Sequence, residues 1–221
     1  MDDYLTEREQ VDRIRQWWKE NGAWIIVGVG GGILALAGWN WWQGYQLQRA
    51  EQASAIYAVV SEAAMEERID EIRLGVERLE SAYGGSPYLQ HGRLALAGAL
   101  ARAGEFNPAA EQLQQVMDGA EDPQLRLIAR VRLARVLLAA GELQRALELA
   151  RGGESDVFAA PLHEIEGDIL AAQGDVAGAR AAYEAALENG GVESAGVIDE
   201  AQVQLKIEAL GNVAAAGSDA S

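Results

Sequence analysis

Hydrophobic positions change character once along this chain. From Ala23 to Trp42 they form an unbroken apolar stretch in which Asn40 is the one strongly polar residue. Beyond it they recur at three- and four-residue spacings, broken at intervals by glycine, proline and acidic residues. The first regime predicts a membrane-crossing helix and the second a run of amphipathic helices packed on one another. At about 1.5 Å rise per residue, a helix over 23–42 is roughly 30 Å long, the thickness of a hydrocarbon core.

The same stretch, "WIIVGVGGGILALAGWNWW", is rich in glycine and must be tested as a phosphate-binding loop. Gly28 and Gly30 fit the first two positions of G-x-G-x-x-G, but Ile33 stands where the third glycine would let strand and helix pack closely. A P-loop lysine is excluded because no lysine lies between Lys19 and Lys206. All six tryptophans lie between positions 17 and 42, at the two ends of the apolar run, as interfacial aromatic belts do. Arg8, Arg13, Arg15 and Lys19 precede the run, whereas Arg49 is the one basic residue in the twenty that follow. Positive residues stay in the cytoplasm, so the expected topology is N-terminus inside and the long C-terminal part outside. A signal peptide would have a shorter apolar region and a nearby small-residue cleavage site, and Ala53-Ser54-Ala55 lies eleven residues beyond Trp42. An uncleaved signal anchor is expected. Gly28, Gly31, Gly32 and Ala35 fall on one helical face, a small-residue stripe of the type that lets membrane helices approach closely.

After the span, Ser86-Pro87, Asn107-Pro108 and Asp122-Pro123 pair a capping residue with a proline at a helix start. Gly104, Gly141 and Gly174 mark helix ends and lie 37 and 33 residues apart, near the period of about 34 of tetratricopeptide helix pairs. Three units share one register: Ala97, Leu100, Ala109, Leu113; Ala134, Leu137, Ala146, Ala150; Gly167, Leu170, Ala179, Tyr183. The small residues let paired helices approach, and the larger ones fill the space beside them. Residues 44–65 extend the membrane helix outward. Residues 69–83, with a stripe at Ile69, Ile72, Val76, Leu79 and Tyr83, complete an atypical first pair, and 197–210 form a last, capping helix. The fold class is therefore all-α: a transmembrane helix followed by a tetratricopeptide-like α-solenoid. The expected domains are a cytoplasmic segment 1–22, the span 23–42, a periplasmic helical domain 43–210 and a disordered tail 211–221.

Charge narrows the partners. Of 34 acidic and 18 basic residues, six and four precede the span, which leaves a net charge of −14 on the rest. Such a surface repels nucleic acid and anionic lipid headgroups. The absence of cysteine removes disulfides, cysteine-ligated zinc and thiol catalysis. Of the two histidines, His91 follows a helix start and His163 lies in "LHEIEGD"; neither has a companion ligand set, so no metal, cofactor or catalytic constellation is expected. The cluster "RVRLAR" at 130–135 is expected to pair with acids of a neighbouring helix, the alternative being a partner contact. Groove-facing positions of the first helices read His91, Leu94 and Gly98; Ile128, Val131 and Arg135; Glu164 and Asp168. That set is mixed or acidic and lacks the Lys and Asn of a carboxylate clamp, so it fits a helix or an unfolded apolar segment better.

Three stretches, "YLTEREQVDRIRQWWKENG" (4–22), "RLIARVRLARVLL" (126–138) and "EIEGDILAAQGDVAGARAAYEAAL" (164–187), carry a resemblance to the YfgM family of ancillary SecYEG translocon subunits. The resemblance implies a bacterial inner-membrane protein with a periplasmic tetratricopeptide domain. It implies association with the SecYEG translocon and the periplasmic chaperone PpiD, and action on emerging unfolded polypeptides. It also leaves open a role for residues 1–22 in restraining an envelope stress-response regulator. A scaffold for another cell-envelope complex shares every residue-level feature.

Overall fold

The computed structural model describes residues 7–152, 158–190 and 198–218, with side chains described from Val11 and up to Gly211. Nine helices lie among them: α1 Glu7–Met65, α2 Ile69–Tyr83, α3 Pro87–Arg102, α4 Phe106–Gly119, α5 Pro123–Ala139, α6 Leu143–Arg151, α7 Ala159–Ala172, α8 Val176–Glu188 and α9 Glu200–Ser218. The fold is all-α, as the sequence pattern requires. The chain divides into two compact units, one ending at Gln52 and the other beginning at Ala53. The division falls ten residues beyond the expected boundary at 42. Ala53 is the first α1 residue to enter the helical core, and it is completely buried there.

In the first unit α1 presents an apolar surface with almost nothing packed on it. Trp24, Ile26, Val27, Val29, Ile33, Leu34, Leu36, Trp39 and Trp41 are all more than half exposed. This helix is long and apolar enough to cross a membrane. Trp39 and Trp42 sit 5.4 Å apart, and Trp41 stacks on Tyr45 at 6.2 Å. Arg49 donates to the Tyr45 hydroxyl at 3.2 Å and lies 5.8 Å from its ring centre. The ladder Trp41–Tyr45–Arg49 steps by four residues and ends in a cation, the arrangement expected at a membrane–water interface.

In the second unit the helices pack in succession: α3 with α4, α5 with α6, and α7 with α8, with α9 on the last. The end of α1 packs on α2, where Val60 faces Gly75. The register read from sequence is the register of the core. Ala97, Leu100, Ala109 and Leu113, their counterparts at 134, 137, 146 and 150, and Leu170, Ala179 and Tyr183 are all buried. So is Gly167.

One turn recurs inside each pair. Gly104, Gly141 and Gly174 have φ of +80°, +81° and +82°. The amide after each one donates back five residues at 2.9 Å: Glu105 to Leu100, Glu142 to Leu137, Asp175 to Leu170. This is the left-handed helix stop that glycine adopts without penalty. The first pair makes the same turn, with Arg68 N–H donating to the Ala63 carbonyl at 2.9 Å, but there the left-handed residue is Glu67, φ +56°. The atypical first pair is thus a repeat whose glycine has been replaced.

Two local expectations shift. Ser86 and Asp122 cap α3 and α5, accepting from the Tyr88 and Gln124 amides. Asn107 does not cap α4, which starts at Phe106 behind Glu105. The Gly104 turn delivers the chain straight into helix, and Pro108 is accommodated in the first turn, where amides need no helical acceptor. At the other end α9 runs to Ser218, past the expected end at 210. "VAAA" at 213–216 carries alanines of high helix propensity, and 219–221 lie outside the described residues.

Candidate functional site: the face of the first helices

Two groups of contacts lie along the first helices of the pairs. The first begins at Tyr57, on the part of α1 that belongs to the helical domain. The Tyr57 ring centre lies 5.6 Å from that of Tyr88 and 5.9 Å from that of His91, both on α3. The side of α3 left open continues through Ala95, Gly98 and Arg102. Beside it, α5 leaves open Ile128, Arg132 and Arg135, spaced by four and three residues and so on one face. In the second group, Arg135 reaches Glu164 of α7 at 3.4 Å. Glu164 and Asp168 in turn receive Lys206 of α9, at 2.8 and 2.9 Å.

The structure sorts the expected groove residues. His91, Ile128 and Arg135 lie on this face. Leu94 and Val131 do not: each is 7% exposed and belongs to the core, because its side chain enters the seam between helices. Glu164 and Asp168 are present but occupied. Glu164, also 7% exposed, is held by Lys206 and Arg135. Asp168 accepts from Lys206 and from the Tyr183 hydroxyl, the latter at 2.8 Å. The acidic character expected of this part of the groove is therefore offset by Lys206 of the last helix together with Arg135 of α5.

These contacts shift two ionisations. Burial, then the hydrogen bond to Asp168 and the charges of Asp168 and Glu164, push the Tyr183 phenol far above its ordinary range. For Lys206 burial pulls the ammonium down, but its bonds to Asp168 and Glu164 outweigh that and the net direction is up. Lys206 also lies 5.6 Å from the Tyr183 ring centre. Together these groups clip α9 to α7 and α8.

The arginine cluster divides three ways. Arg135 meets an acid on the neighbouring helix, as expected. Arg130 does not: it is buried and donates through Nε (2.7 Å) and Nη2 to the Leu149 carbonyl at the end of α6, and burial lowers its pKa. A carbonyl at a helix C-terminus lacks an intrahelical donor, which is why a buried guanidinium fits there. Arg132 is exposed and, among the described residues, has no ion-pair partner. Tyr57, Tyr88 and Lys206 were not singled out by sequence pattern, although Lys206 is the single lysine after Lys19.

His163 Nδ1 lies 3.5 Å from Glu166, which also accepts from Arg151 at 2.7 Å. Among the described residues no group of three or more His, Asp or Glu side chains is placed to hold a metal ion. In α1, a Cβ added at Gly28, Gly31 or Gly32 would meet nothing within 4 Å, so that small-residue face is open.

The family model described as a tetratricopeptide repeat-like domain matches residues 15–212. The ancillary SecYEG translocon subunit of Escherichia coli K12 is 32% identical over 189 residues, covering 86% of this chain and 91% of the relative. The chain belongs to the YfgM family of ancillary SecYEG translocon subunits. Proteins with the same description from Haemophilus influenzae and Neisseria gonorrhoeae are each 28% identical, covering 84% and 94% of this chain and 91% and 98% of their own lengths. The family-model match takes in both the apolar part of α1 and the helix pairs.

Proposed function

We propose that this chain is a non-enzymatic, membrane-anchored interaction subunit of the Sec export machinery. Residues 23–42 cross the bacterial inner membrane once, residues 1–22 remain in the cytoplasm, and the helical domain lies in the periplasm. The domain associates there with the SecYEG translocon and the chaperone PpiD and meets polypeptides as they emerge. The observation that carries this reading is the matched pair of features on one chain: an exposed apolar helix with aromatic ends, and a tetratricopeptide repeat-like domain. The names of the relatives supply the Sec assignment. Anchoring raises the effective concentration of a weak binding face at the channel exit without any new contact. Weak binding suits a client that has to be released.

The anchor has a second role in this reading. Gly28, Gly31, Gly32 and Ala35 offer a flat face to a partner helix in lipid. A photocrosslinking residue placed at Ala95, on the open face of α3, tests the domain's part in living cells. The expected result is capture of a translocon subunit, the chaperone or an exporting polypeptide. Capture of none of these, with the protein present in the membrane, overturns the reading.

A further inference from the structure

The open face of α1, α3 and α5 is chemically polarised. At one end three rings, Tyr57, Tyr88 and His91, gather within 6 Å of one another through Tyr57. The middle is floored by the small residues Ala95 and Gly98, beside the half-buried Ile128. At the other end stand two guanidiniums on one face of α5. Arg135 is half exposed, and it makes a 3.4 Å bond to one Glu164 oxygen while Lys206 holds the other at 2.8 Å. Arg132 is unengaged among the described residues. The nearby acids are engaged: Glu67 holds Arg102, and Glu164 and Asp168 together hold Lys206 and Arg135. Three cations, Arg132, Arg135 and Lys206, against those two carboxylates leave one net positive charge, that of Arg132, beside an aromatic shelf in a domain of net charge −14 beyond the span.

We propose that this face binds an extended peptide segment in which an aromatic side chain and an Asp or Glu side chain lie about three residues apart. This deepens the reading above by naming the chemistry of the segment the domain takes. The spacing follows from the architecture. Packed helices lie about 8–10 Å apart, and the shared register sets Arg132 one turn further along α5 than His91 is along α3, about 6 Å. An extended chain advances about 3.3–3.6 Å per residue, so the step of about 10–12 Å from His91 to Arg132 takes about three residues. The aromatic side chain stacks on the shelf, which stays half-buried without it. The carboxylate meets a planar fork of donors already presented on a helix. Small residues between the two ends let the peptide backbone lie close to α3. The acidic remainder of the domain disfavours other docking positions for the same segment, though only within the screening length of about 8 Å at physiological salt.

The test uses the full chain in detergent micelles and fluorescently labelled peptides whose termini are both blocked, so that only side-chain carboxylates are offered. One peptide carries Phe-Ala-Ala-Asp in a neutral context, a second has Lys for Asp, and a third has Ala for Phe. Anisotropy titrations are expected to show the Asp peptide binding at least ~10-fold tighter than the Lys peptide, as a charge-assisted contact implies. Loss of the Phe should weaken binding as well. Arg132→Glu, at an exposed position, should abolish or reverse the Asp-over-Lys preference with the helical circular dichroism signal unchanged. Arg73→Glu, on α2 outside this face, should leave it intact. Equal binding of the Asp and Lys peptides, no binding of either, or equal effects of the two arginine substitutions would each overturn the proposal. Association with the translocon is read separately by co-purification, so Arg132→Glu protein that keeps the channel but loses peptide preference separates the two readings.

Discussion

Tyr183 of α8 fills the space in which a side chain on Gly167 of α7 would stand. The ring is 3% exposed, and its hydroxyl reaches past the glycine to Asp168. Helix approach, core filling and the electrostatics of the last pair are set by this one contact. Gly167→Ala forces the ring or a helix to move, and overpacking of this kind costs about 1–3 kcal/mol. Tyr183→Phe keeps the shape and loses the hydrogen bond to the Asp168 carboxylate, a charged acceptor, at a cost of about 1.5–3 kcal/mol. Thermal unfolding in the same micelles should show both variants destabilised; a neutral Gly167→Ala would contradict the packing described.

Both ionisations of this cluster shift upward, which fixes the sign of its pH dependence. A group whose folded-state pKa exceeds its unfolded value gives stability that is complete below the unfolded pKa. That stability is lost as pH rises toward the folded one. For Tyr183 and Lys206 the loss begins near pH ~10, the ordinary range of both side chains. Stability of the α7–α9 region should therefore be flat through neutral pH and fall above ~10. Phenolate absorbance checks this directly: one tyrosine should ionise only as the helices open, and Tyr183→Phe should remove that step.

Glu67 occupies the left-handed position that Gly104, Gly141 and Gly174 hold in the other pairs. That backbone costs a side-chain-bearing residue roughly 1–2 kcal/mol. The exposed ion pair of Glu67 with Arg102 returns little of it. Glu67→Gly should accordingly raise the melting temperature, and Gly104→Ala should lower it. Measuring both on the full chain gives a direct comparison, and a destabilising Glu67→Gly would show that the turn needs its side chain.

The absence of cysteine makes topology simple to read. Gln16→Cys and Ser81→Cys place single thiols at exposed positions on the two sides of the apolar stretch. With a membrane-impermeant maleimide on intact spheroplasts, Ser81→Cys should label and Gln16→Cys only after lysis. The reverse pattern would invert the proposed orientation.

Much of this architecture was legible in the sequence, for identifiable reasons. Glycine at a left-handed turn and small residues at helix crossings leave few substitutes, so Gly104, Gly141, Gly174, Ala134 and Gly167 announced three pairs. The first pair was blurred because Glu67 stands in for the glycine. The open face was only partly legible. Exposure on a helix depends on which neighbour covers each side, and the pattern did not separate Leu94 and Val131, which are core, from His91 and Ile128, which are not. Nor could it show that Lys206, far along the chain, would return to pair with Glu164 and Asp168. Long-range ion pairs leave no spacing signature.

The small-residue face of the span bears on the anchor's own part. Gly28→Leu with Gly32→Leu fills a surface that nothing covers in the isolated chain. Insertion should be unaffected, while recovery of the translocon with the protein should fall several-fold if that face docks in lipid. Unchanged recovery would leave residues 23–42 as a tether alone.

The central claim is association with the export channel, and purification of the tagged full chain from membranes in mild detergent tests it most directly. The account predicts that SecYEG is recovered with the protein, and that it is lost when residues 23–42 are replaced by an unrelated membrane span. Recovery of a different envelope complex with no channel subunit would contradict it.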